Sequence, residues 1–445
     1  MLTKTIHRIW NERKQNVWLF LELFVVAIFI WLAIDQLFNL VSRGNIEQGY
    51  DDENIYCIYF KRHDTRSHKY KAGFNDKEII FNGFRQIIKR IESLPEVETY
   101  CVSGGEYPGS ASQGVTQATV DSTVRADGKS ITANVSLYQN KQTDKSDYFA
   151  TFNIKDAFTG EILKKRIVEQ GYGIYISKNL AETLFGTENG IGEKVTLSFN
   201  DNLSCNVLGV FENVQTVIYS EPKPLVILTN ELYDRNAGVY FTYRTIHIKL
   251  KKGVDKERFE KRFHDDIMPQ LTAGNIYCNE LISCTELKKM IEKQHGIKNK
   301  YRQSIILSTF ALLCGLLGII GTFYVRAIAR RREIGIMQSI GATRIAIVKQ
   351  FILEAMILVS VAFMLAMPVV LHKVHITGFA EPLNRFMQFK PIGETAMWYT
   401  DTLPHFAIVT AISYLLISTI CIVGAVVPTL ATIKRNIADA LREEF

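Results

Sequence analysis

The sequence predicts an α-helical membrane protein with four transmembrane helices and a large α+β extracytoplasmic domain inserted between helices 1 and 2. Its 445 residues suffice for about three domains. A hydrophobic share of 47% with 22% charged residues excludes a disordered chain. The apolar residues are concentrated in four blocks, and the charged residues fill the intervening sequence. The chain therefore combines membrane-spanning and water-soluble parts.

Each apolar block is about as long as the roughly 20 residues that a helix needs to cross a bilayer. We predict transmembrane helices at residues 17–40, 304–325, 350–371 and 405–427. A cleaved signal peptide is the alternative for the first block. Its apolar stretch is longer than the about 7–15 residues of such a signal, and no small-residue cleavage site follows. We therefore interpret the first block as a retained anchor.

Lysine and arginine residues beside the spans predict the topology, because short cytoplasmic segments are enriched in them. Three segments with this enrichment are predicted to be cytoplasmic, namely residues 1–16, 326–349 and 428–445. Residues 41–303 and 372–404 are then external. A basic cluster just before the second span opposes this assignment, but long translocated segments cross largely regardless of charge. Topology thus accounts for much of the net charge of +7, and no nucleic-acid partner is indicated.

The long external segment repeats one order of elements near both of its ends. Each end has a strand, a helix and a strand, at residues 54–60, 78–92 and 97–102 and at residues 244–250, 255–268 and 275–284. This repeat predicts two βαβ-like halves. A β-rich insertion lies between them. It includes a predicted hairpin of Lys194–Phe199 and Cys205–Val210, joined by an Asn-Asp-Asn turn.

Residue types needed for catalysis, nucleotide binding or metal binding do not occur at the required spacings. The nearest approach to a phosphate-binding loop, at residues 186–194, lacks both the Gly-Lys step and the following Ser or Thr. His372 and His375, with Glu381 nearby, form a weak metal pattern that is more typical of solvated residues. We expect no catalytic residue, no metal site and no cofactor bound by this chain.

The positions of the seven cysteines do not predict a specific disulfide. Five of the seven fall in the external segment, at Cys57, Cys101, Cys205, Cys278 and Cys284. Five thiols cannot all pair. An oxidising compartment permits one disulfide among them, but their spacing indicates neither a disulfide framework nor a CxxC site.

Small residues recur on one face of the second predicted span, at Ala311, Gly315, Gly318 and Thr322. Small side chains allow two helix backbones to approach closely in a membrane. The face is predicted to be either a homodimer seam or a contact with another span of the same chain.

Glu22 and Glu354 lie near the predicted cytoplasmic ends of the first and third spans. Carboxylates inside membranes are candidates for proton relays. Near the boundary, however, a glutamate can reach water or an arginine. We favour this second interpretation.

The segment between the second and third spans is short, basic and amphipathic. Residues 330–343 read RRREIGIMQSIGAT, followed by Glu354 in the third span. This pattern resembles the FtsX/MacB family of ABC-transporter permeases, whose loop reads approximately RRREIGIMKAIGAT. The external residues Leu184-Phe185-Gly186, 191–194 and 207–210 resemble the family's LFG…IGK…VIGV periplasmic motif. The family's C-terminal P-x-x-ALR motif occurs at residues 437–442 without its proline.

The resemblance implies a permease subunit of the bacterial inner (cytoplasmic) membrane, with both termini in the cytoplasm. Such a subunit dimerises with a second permease copy or a paralogue, and a separate cytoplasmic ABC ATPase binds ATP and Mg²⁺ for it. The resemblance implies that ATP-driven motion reaches the chain through a coupling loop and passes along the second span to the external domain. The residues assigned to this loop are Arg331, Arg332, Glu333, Ile334, Gly335, Met337, Ile340, Gly341 and Ala342.

The sequence leaves three hypotheses for what the protein acts on. Export or envelope-substrate handling of the MacB type, with a periplasmic adaptor and an outer-membrane channel as further partners, is the first hypothesis. Lipoprotein extraction resembling the LolC/LolE subunits is the second. A signalling or scaffold protein that regulates cell-wall enzymes, as FtsX does, is the third. The external domain of about 260 residues, estimated from the predicted spans, favours the first two.

Overall fold

The computed structural model divides the chain into two compact units, which are described separately. A membrane unit comprises residues 1–44, 298–385 and 396–445, and an α/β unit comprises residues 45–297 and 386–395. The described residues are 7, 9–11, 13–110, 114–121, 130–168, 172–198, 202–216, 222–231, 244–294, 296–379 and 402–433. Glu381 and the motif at residues 437–442 lie outside them, as does most of the predicted external loop 372–404.

The predicted helix at residues 255–268 is α-helical only over Lys256–Arg262 and continues as a π-helical turn at Phe263–Ile267 and a 3-10 turn at Met268–Gln270. The described α-helices and β-strands alternate along the chain. In chain order they are α1 (Arg13–Gly44), β1 (Ile55–Arg62), α2 (Lys77–Glu92), β2 (Val97–Ser103), β3 (Gly114–Val120), β4 (Ile131–Gln142), α3 (Tyr148–Phe152), β5 (Gly173–Ser177), α4 (Lys178–Phe185), β6 (Lys194–Leu197), β7 (Leu203–Phe211), β8 (Leu225–Glu231), β9 (Thr245–Leu250), α5 (Lys256–Arg262), β10 (Thr272–Ala273), β11 (Ile276–Ser283), α6 (Cys284–Gln294), α7 (Ile297–Ala329), α8 (Arg331–Ser339), α9 (Arg344–Thr377) and α10 (Thr402–Ile433).

Four helices of the membrane unit, α1, α7, α9 and α10, are long and apolar enough to cross a bilayer. They share one apolar core, to which they contribute Leu23, Ile319, Val359 and Ile417 respectively. Of the four, α7 buries the least of its apolar surface within the chain. Its side chains Phe310, Leu313 and Leu317 are exposed, as expected for a helix that faces lipid or another chain.

A buried polar pair joins α1 to α10. His405 Nε2 lies 2.7 Å from Asp35 Oδ1, and both side chains are almost completely buried. Asn39 donates a further hydrogen bond to the same carboxylate oxygen, at 3.1 Å. Polar groups in apolar surroundings are stable only when they are paired. The pair therefore fixes the register between these two helices.

One part of the α/β unit is an open sheet with strands in the order β10-β11-β1-β9-β2. β9 runs antiparallel to both β1 and β2, so the two strands of the first half are parallel but not adjacent. β11 is likewise separated from β9 by β1. The predicted strand–helix–strand halves are present, and they interlock in the split βαβ arrangement.

The two faces of this open sheet bury different side chains, because successive residues of a strand point to opposite faces. Tyr56, Ile58 and Phe60 of β1 pack beneath α2 and α5. Ile55 and Cys57 point to the other face, into a second, aromatic-rich core.

The predicted β-rich insertion forms a closed barrel. The sheet continues β4-β3-β6-β7-β5-β8, and β8 pairs in parallel with β4, so six strands form a ring. The predicted hairpin is present, with β6 and β7 paired antiparallel from Lys194↔Asn206 to Leu197↔Leu203. Apolar side chains from all six strands and from α4 fill one common core.

Gly83 allows α2 to lie close to the edge strand β10. A Cβ built on Gly83 would lie 2.6 Å from Ala273 Cα and 2.7 Å from Ala273 Cβ. Contacts this short require one of the two elements to move. Glycine at this helical position is therefore explained by the close approach of the backbone.

We predict that Gly83→Ala destabilises the α/β unit by about 1–3 kcal/mol, the usual cost of overpacking. The same replacement at an unobstructed helix position stabilises by about 1 kcal/mol. The measurement is thermal unfolding of the full chain, with Asn82→Ala on the exposed side of α2 as the control. An unchanged or higher midpoint for Gly83→Ala would contradict the close approach.

Candidate functional site

The segment predicted as the coupling loop, residues 326–349, is largely helical. α7 continues through Ala329, and α9 already begins at Arg344. Between them α8 spans Arg331–Ser339, with Arg330 as its N-cap residue. The predicted loop residues therefore lie on a short helix and on the turn that follows it.

Two capping motifs position α8 and start α9. Gly341 N–H donates to Gln338 O at 3.0 Å, and Ala342 N–H donates to Met337 O at 2.9 Å. These bonds and the φ of +91° at Gly341 form the Schellman motif, which favours glycine. Thr343 then caps α9 by accepting a bond from Ala346 N–H at 3.3 Å. The Gly-Ala-Thr sequence thus ends one helix and begins the next.

The inner face of α8 packs against the membrane helices. Ile334 is fully buried with Ile347 and Phe351 of α9 and with Ile433 at the end of α10. Met337 and Ala342 are partly buried beside this cluster, and Gly335 is buried within α8. These predicted site residues hold α8 in place.

The outer face of α8, the turn that follows it and the first turn of α9 expose apolar side chains. Ile340 is 81% exposed and Ile345 is 69% exposed. Ile336, Arg332 and Gly341 are also exposed. We name the residues Ile336, Ile340 and Ile345 the outer isoleucine face. An exposed apolar cluster next to cationic residues is typical of an interaction surface.

A buried carboxylate connects α8 to α7 and α9. Glu354 of α9 binds Arg326 Nη2 through Oε1 and Arg330 Nη1 through Oε2, both at 2.6 Å. Its side chain is only 4% exposed. Glu333 of α8 lies farther from Arg330, at 3.9 Å, and is about one-third exposed. The sequence analysis favoured water or an arginine as the partner of Glu354, and the carboxylate in fact binds two arginines.

The small-residue face of α7 lies against α1 of the same chain. A Cβ on Gly315 would lie 3.2 Å from Val26 Cγ1, and one on Gly318 would lie 3.1 Å from Glu22 Oε1. Thr322 Oγ1 donates a hydrogen bond to Glu22 Oε2 at 2.6 Å. Ala311 is half-buried at the other end of this face.

Three residues that sequence reasoning did not connect meet in the α/β unit. Cys57, His247 and Cys284 place their ligand atoms within 4.8 Å of one another. Burial alone raises the pKa of the Cys57 thiol, but hydrogen bonds from Cys284, His247 and Tyr107 and the charge of His247 together lower it to about 5. The hydrogen bond to Cys57 and burial raise the pKa of Cys284. His372 and His375, by contrast, are exposed.

The two units match two known protein families. Residues 44–265 match the MacB-like periplasmic core domain, and residues 305–438 match the FtsX-like permease C-terminal family.

Individual relatives are distant. The probable syringafactin export ATP-binding/permease protein of Pseudomonas syringae pv. tomato is 25% identical over 254 residues, which is 53% of this chain and 35% of that protein. The macrolide export ATP-binding/permease protein MacB of Burkholderia cenocepacia is 24% identical over 230 residues, covering 47% and 30%. This chain thus spans about a third of the length of these relatives. The periplasmic region of MacB from Actinobacillus actinomycetemcomitans aligns at 16% identity with a TM-score of 0.32, over 56% of this chain and 98% of that one.

We predict that Glu354→Gln lowers the free energy of unfolding of the membrane unit by about 3 kcal/mol, because two mostly buried arginines lose their shared counter-charge. Glu333→Gln is the control, since its longer and more exposed contact is worth at most about 1 kcal/mol. The measurement is thermal unfolding in detergent. Equal midpoints for the two variants would contradict the dominant role of Glu354.

We predict that Gly315→Leu separates α7 from α1 and lowers the unfolding midpoint in detergent, since overpacking costs about 1–3 kcal/mol. Gly321→Leu is the matched control, because a Cβ there meets no heavy atom of the part of the chain that the structure describes within 4 Å. If Gly315→Leu left stability unchanged and only altered the association of chains, the face would be a seam between copies.

The two family matches together cover most of both units, and the loop that first suggested them folds as a capped helix between two spans. This multi-pass membrane chain belongs to the FtsX/MacB family of ABC-transporter permeases.

Proposed function

We propose that this chain is a permease subunit that transmits ATP-driven conformational change from a cytoplasmic ABC ATPase to its external α/β unit. The observation that carries the proposal is the two-sided construction of α8. Its inner side is packed and ion-paired into the membrane unit, while the outer isoleucine face is exposed. The proposed location is the bacterial inner membrane, with both termini and α8 in the cytoplasm.

The outer isoleucine face is the proposed docking surface for the ATPase. Helices that bind in protein grooves present apolar anchors at spacings of three or four residues. Ile336 and Ile340 have this spacing, and Arg332 lies one turn earlier on the same helix. ATP and Mg²⁺ are bound by the ATPase and not by these 445 residues, which contain no phosphate-binding loop motif.

The proposed transmission path runs through the buried Glu354. Because Arg326 lies on α7 and Arg330 lies at the junction with α8, a displacement of α8 is resisted by the carboxylate that both arginines share. α7 is a continuous helix of 33 residues, about 50 Å long. Two residues separate its first residue from the end of α6 in the α/β unit. In the proposed mechanism, motion at α8 reaches the α/β unit through this covalent connection.

The proposed partners follow from this mechanism. A second permease copy or a paralogue would complete the transporter, and the exposed apolar side chains of α7 are available to it or to the lipid bilayer. The names of two relatives include export and ATP binding, which supports export with an ATPase partner. We therefore propose export or envelope-substrate handling, with a periplasmic adaptor and an outer-membrane channel as further partners.

We predict that Ile340→Glu weakens ATPase binding by about 30-fold, the effect of losing one interface side chain worth about 2 kcal/mol. Ile167→Glu is the matched control, because that isoleucine is also well exposed but lies in the α/β unit. The measurement is affinity purification in mild detergent, with mass spectrometry and ATP hydrolysis assays of the recovered complex.

Recovery of an ABC ATPase with wild type and Ile167→Glu, and its loss with Ile340→Glu, would support the docking surface. An ATPase retained equally by both variants would refute it. Co-recovery of a lipoprotein carrier in place of an adaptor would change the substrate class to lipoprotein extraction. Recovery of cell-wall enzymes without an ATPase would favour a scaffold.

A further inference from the structure

Four neighbouring strands of the open sheet bring sulfur and imidazole side chains into one row. Cys57 of β1 is paired directly with His247 of β9. His247 is in turn paired with Cys101 of β2. Cys284 follows the last residue of β11, whose Ser283 is paired with Tyr56. Because side chains alternate between faces, the pairing places these residues on the same side of the sheet.

Three of these side chains converge closely. Cys57 Sγ lies 3.3 Å from His247 Nδ1 and 3.4 Å from Cys284 Sγ. Cys57 and His247 are fully buried, and Cys284 is 5% exposed. Cys101 stands apart, since its thiol is hydrogen-bonded to Thr151. The converging set is therefore two sulfurs and one imidazole nitrogen in a dry interior.

Contacts on the side away from the two sulfurs fix the orientation of the His247 imidazole. Its Nε2 lies 2.9 Å from Ser103 Oγ, and its ring packs against Tyr107 and Phe152 at centroid distances of 4.8 and 5.2 Å. When Nε2 carries the proton and donates it to Ser103, the lone pair of Nδ1 faces the sulfurs. A ligating histidine in a metal site is typically oriented by such a hydrogen bond on its other nitrogen.

We infer that Cys57, His247 and Cys284 bind one thiophilic d¹⁰ cation, Zn²⁺ or Cu⁺, through two sulfurs and Nδ1. Ligand atoms around a tetrahedral zinc stand about 3.5–3.8 Å apart at the usual bond lengths of about 2.0–2.3 Å. The two separations that involve Cys57 Sγ, 3.3 and 3.4 Å, are slightly shorter than this, and all three ligand atoms lie within 4.8 Å of one another. Thiolate and imidazole ligands select these metals over Mg²⁺ or Ca²⁺, which prefer oxygen.

Cation binding releases protons and involves no oxidation or reduction. Each cysteine thiol that ligates the cation gives its proton to solvent, and His247 binds as the neutral imidazole. The Tyr107 hydroxyl also hydrogen-bonds the Cys57 sulfur. The cation enters while the unit folds, because the finished site is enclosed.

A disulfide between Cys57 and Cys284 is the competing chemistry. Its two sulfurs would have to approach to about 2.05 Å. A disulfide would not involve the imidazole nitrogen that faces the same sulfur. The convergence of three ligands and the anchored histidine therefore favour the cation. The inference concerns the α/β unit alone and does not depend on the proposed ATPase partnership.

The test measures metal in the full-length protein, purified in detergent through a tag without histidines. Plasma mass spectrometry is expected to find about one zinc or copper ion per chain, and the identity of the metal distinguishes Zn²⁺ from Cu⁺. Cys57→Ser and Cys284→Ser should each lose it. Cys205→Ser, which changes a buried cysteine in the barrel core, should retain it.

A second measurement on the unaltered chain covers variants that fail to fold. Refolding it with Co²⁺ should produce the intense near-ultraviolet absorption of thiolate bound to cobalt. Absence of metal and of this absorption, with all thiols reduced, would overturn the inference. A Cys57–Cys284 disulfide in unreduced wild-type protein, detected by peptide mass spectrometry, would overturn it in favour of a covalent bond.

Discussion

The arrangement of α7, α8 and α9 depends on one buried carboxylate. Glu354 is nearly inaccessible to water, and an unpaired charge there would cost several kcal/mol. Arg326 and Arg330 supply the compensation, and each occupies one of its oxygens. Arg330 is also the single residue between α7 and α8, so the break between these helices is fixed by the same interaction. Three helices therefore share one electrostatic constraint.

The nine residues of α8 have a packed side and an exposed side. The inward Ile334 and Met337 bury apolar surface against α9 and α10, which makes the helix part of the membrane unit. Ile340 lies directly after the last residue of α8 and is exposed, and the Schellman turn at Gly341 ends the helix there. The glycine is needed for its backbone conformation, since a Cβ at this position meets no heavy atom of the described residues within 4 Å.

Features that depend on residues close together in the sequence could be predicted, and features that depend on residues far apart could not. Four apolar blocks of spanning length and two alternating strand–helix–strand patterns suffice to predict the spans and both halves of the α/β unit. Closure of the barrel depends on the pairing of Ser136 with Leu225, which no local pattern specifies. The convergence of Cys57 and His247 requires the strand order, because 190 residues separate them. The two arginines that bind Glu354 were not identified from the sequence. Arg326 and Arg330 lie one helical turn apart, on the other side of the loop from Glu354, and this spacing was a signal that could have identified them.

The strand order also decides how the α/β unit would experience motion of the membrane helices. The chain enters the unit through β1 and leaves it through β11 and α6, and these two strands are hydrogen-bonded to each other from Tyr56↔Ser283 to Arg62↔Ile276. Because they are antiparallel, the start of β1 and the end of β11 lie at the same end of the pair. In the proposed mechanism, a force on the chain where it enters or leaves the unit would therefore act first on this end of the strand pair. Cys57 and Cys284 meet there, so a cation bound between them would hold the two strands together at this end.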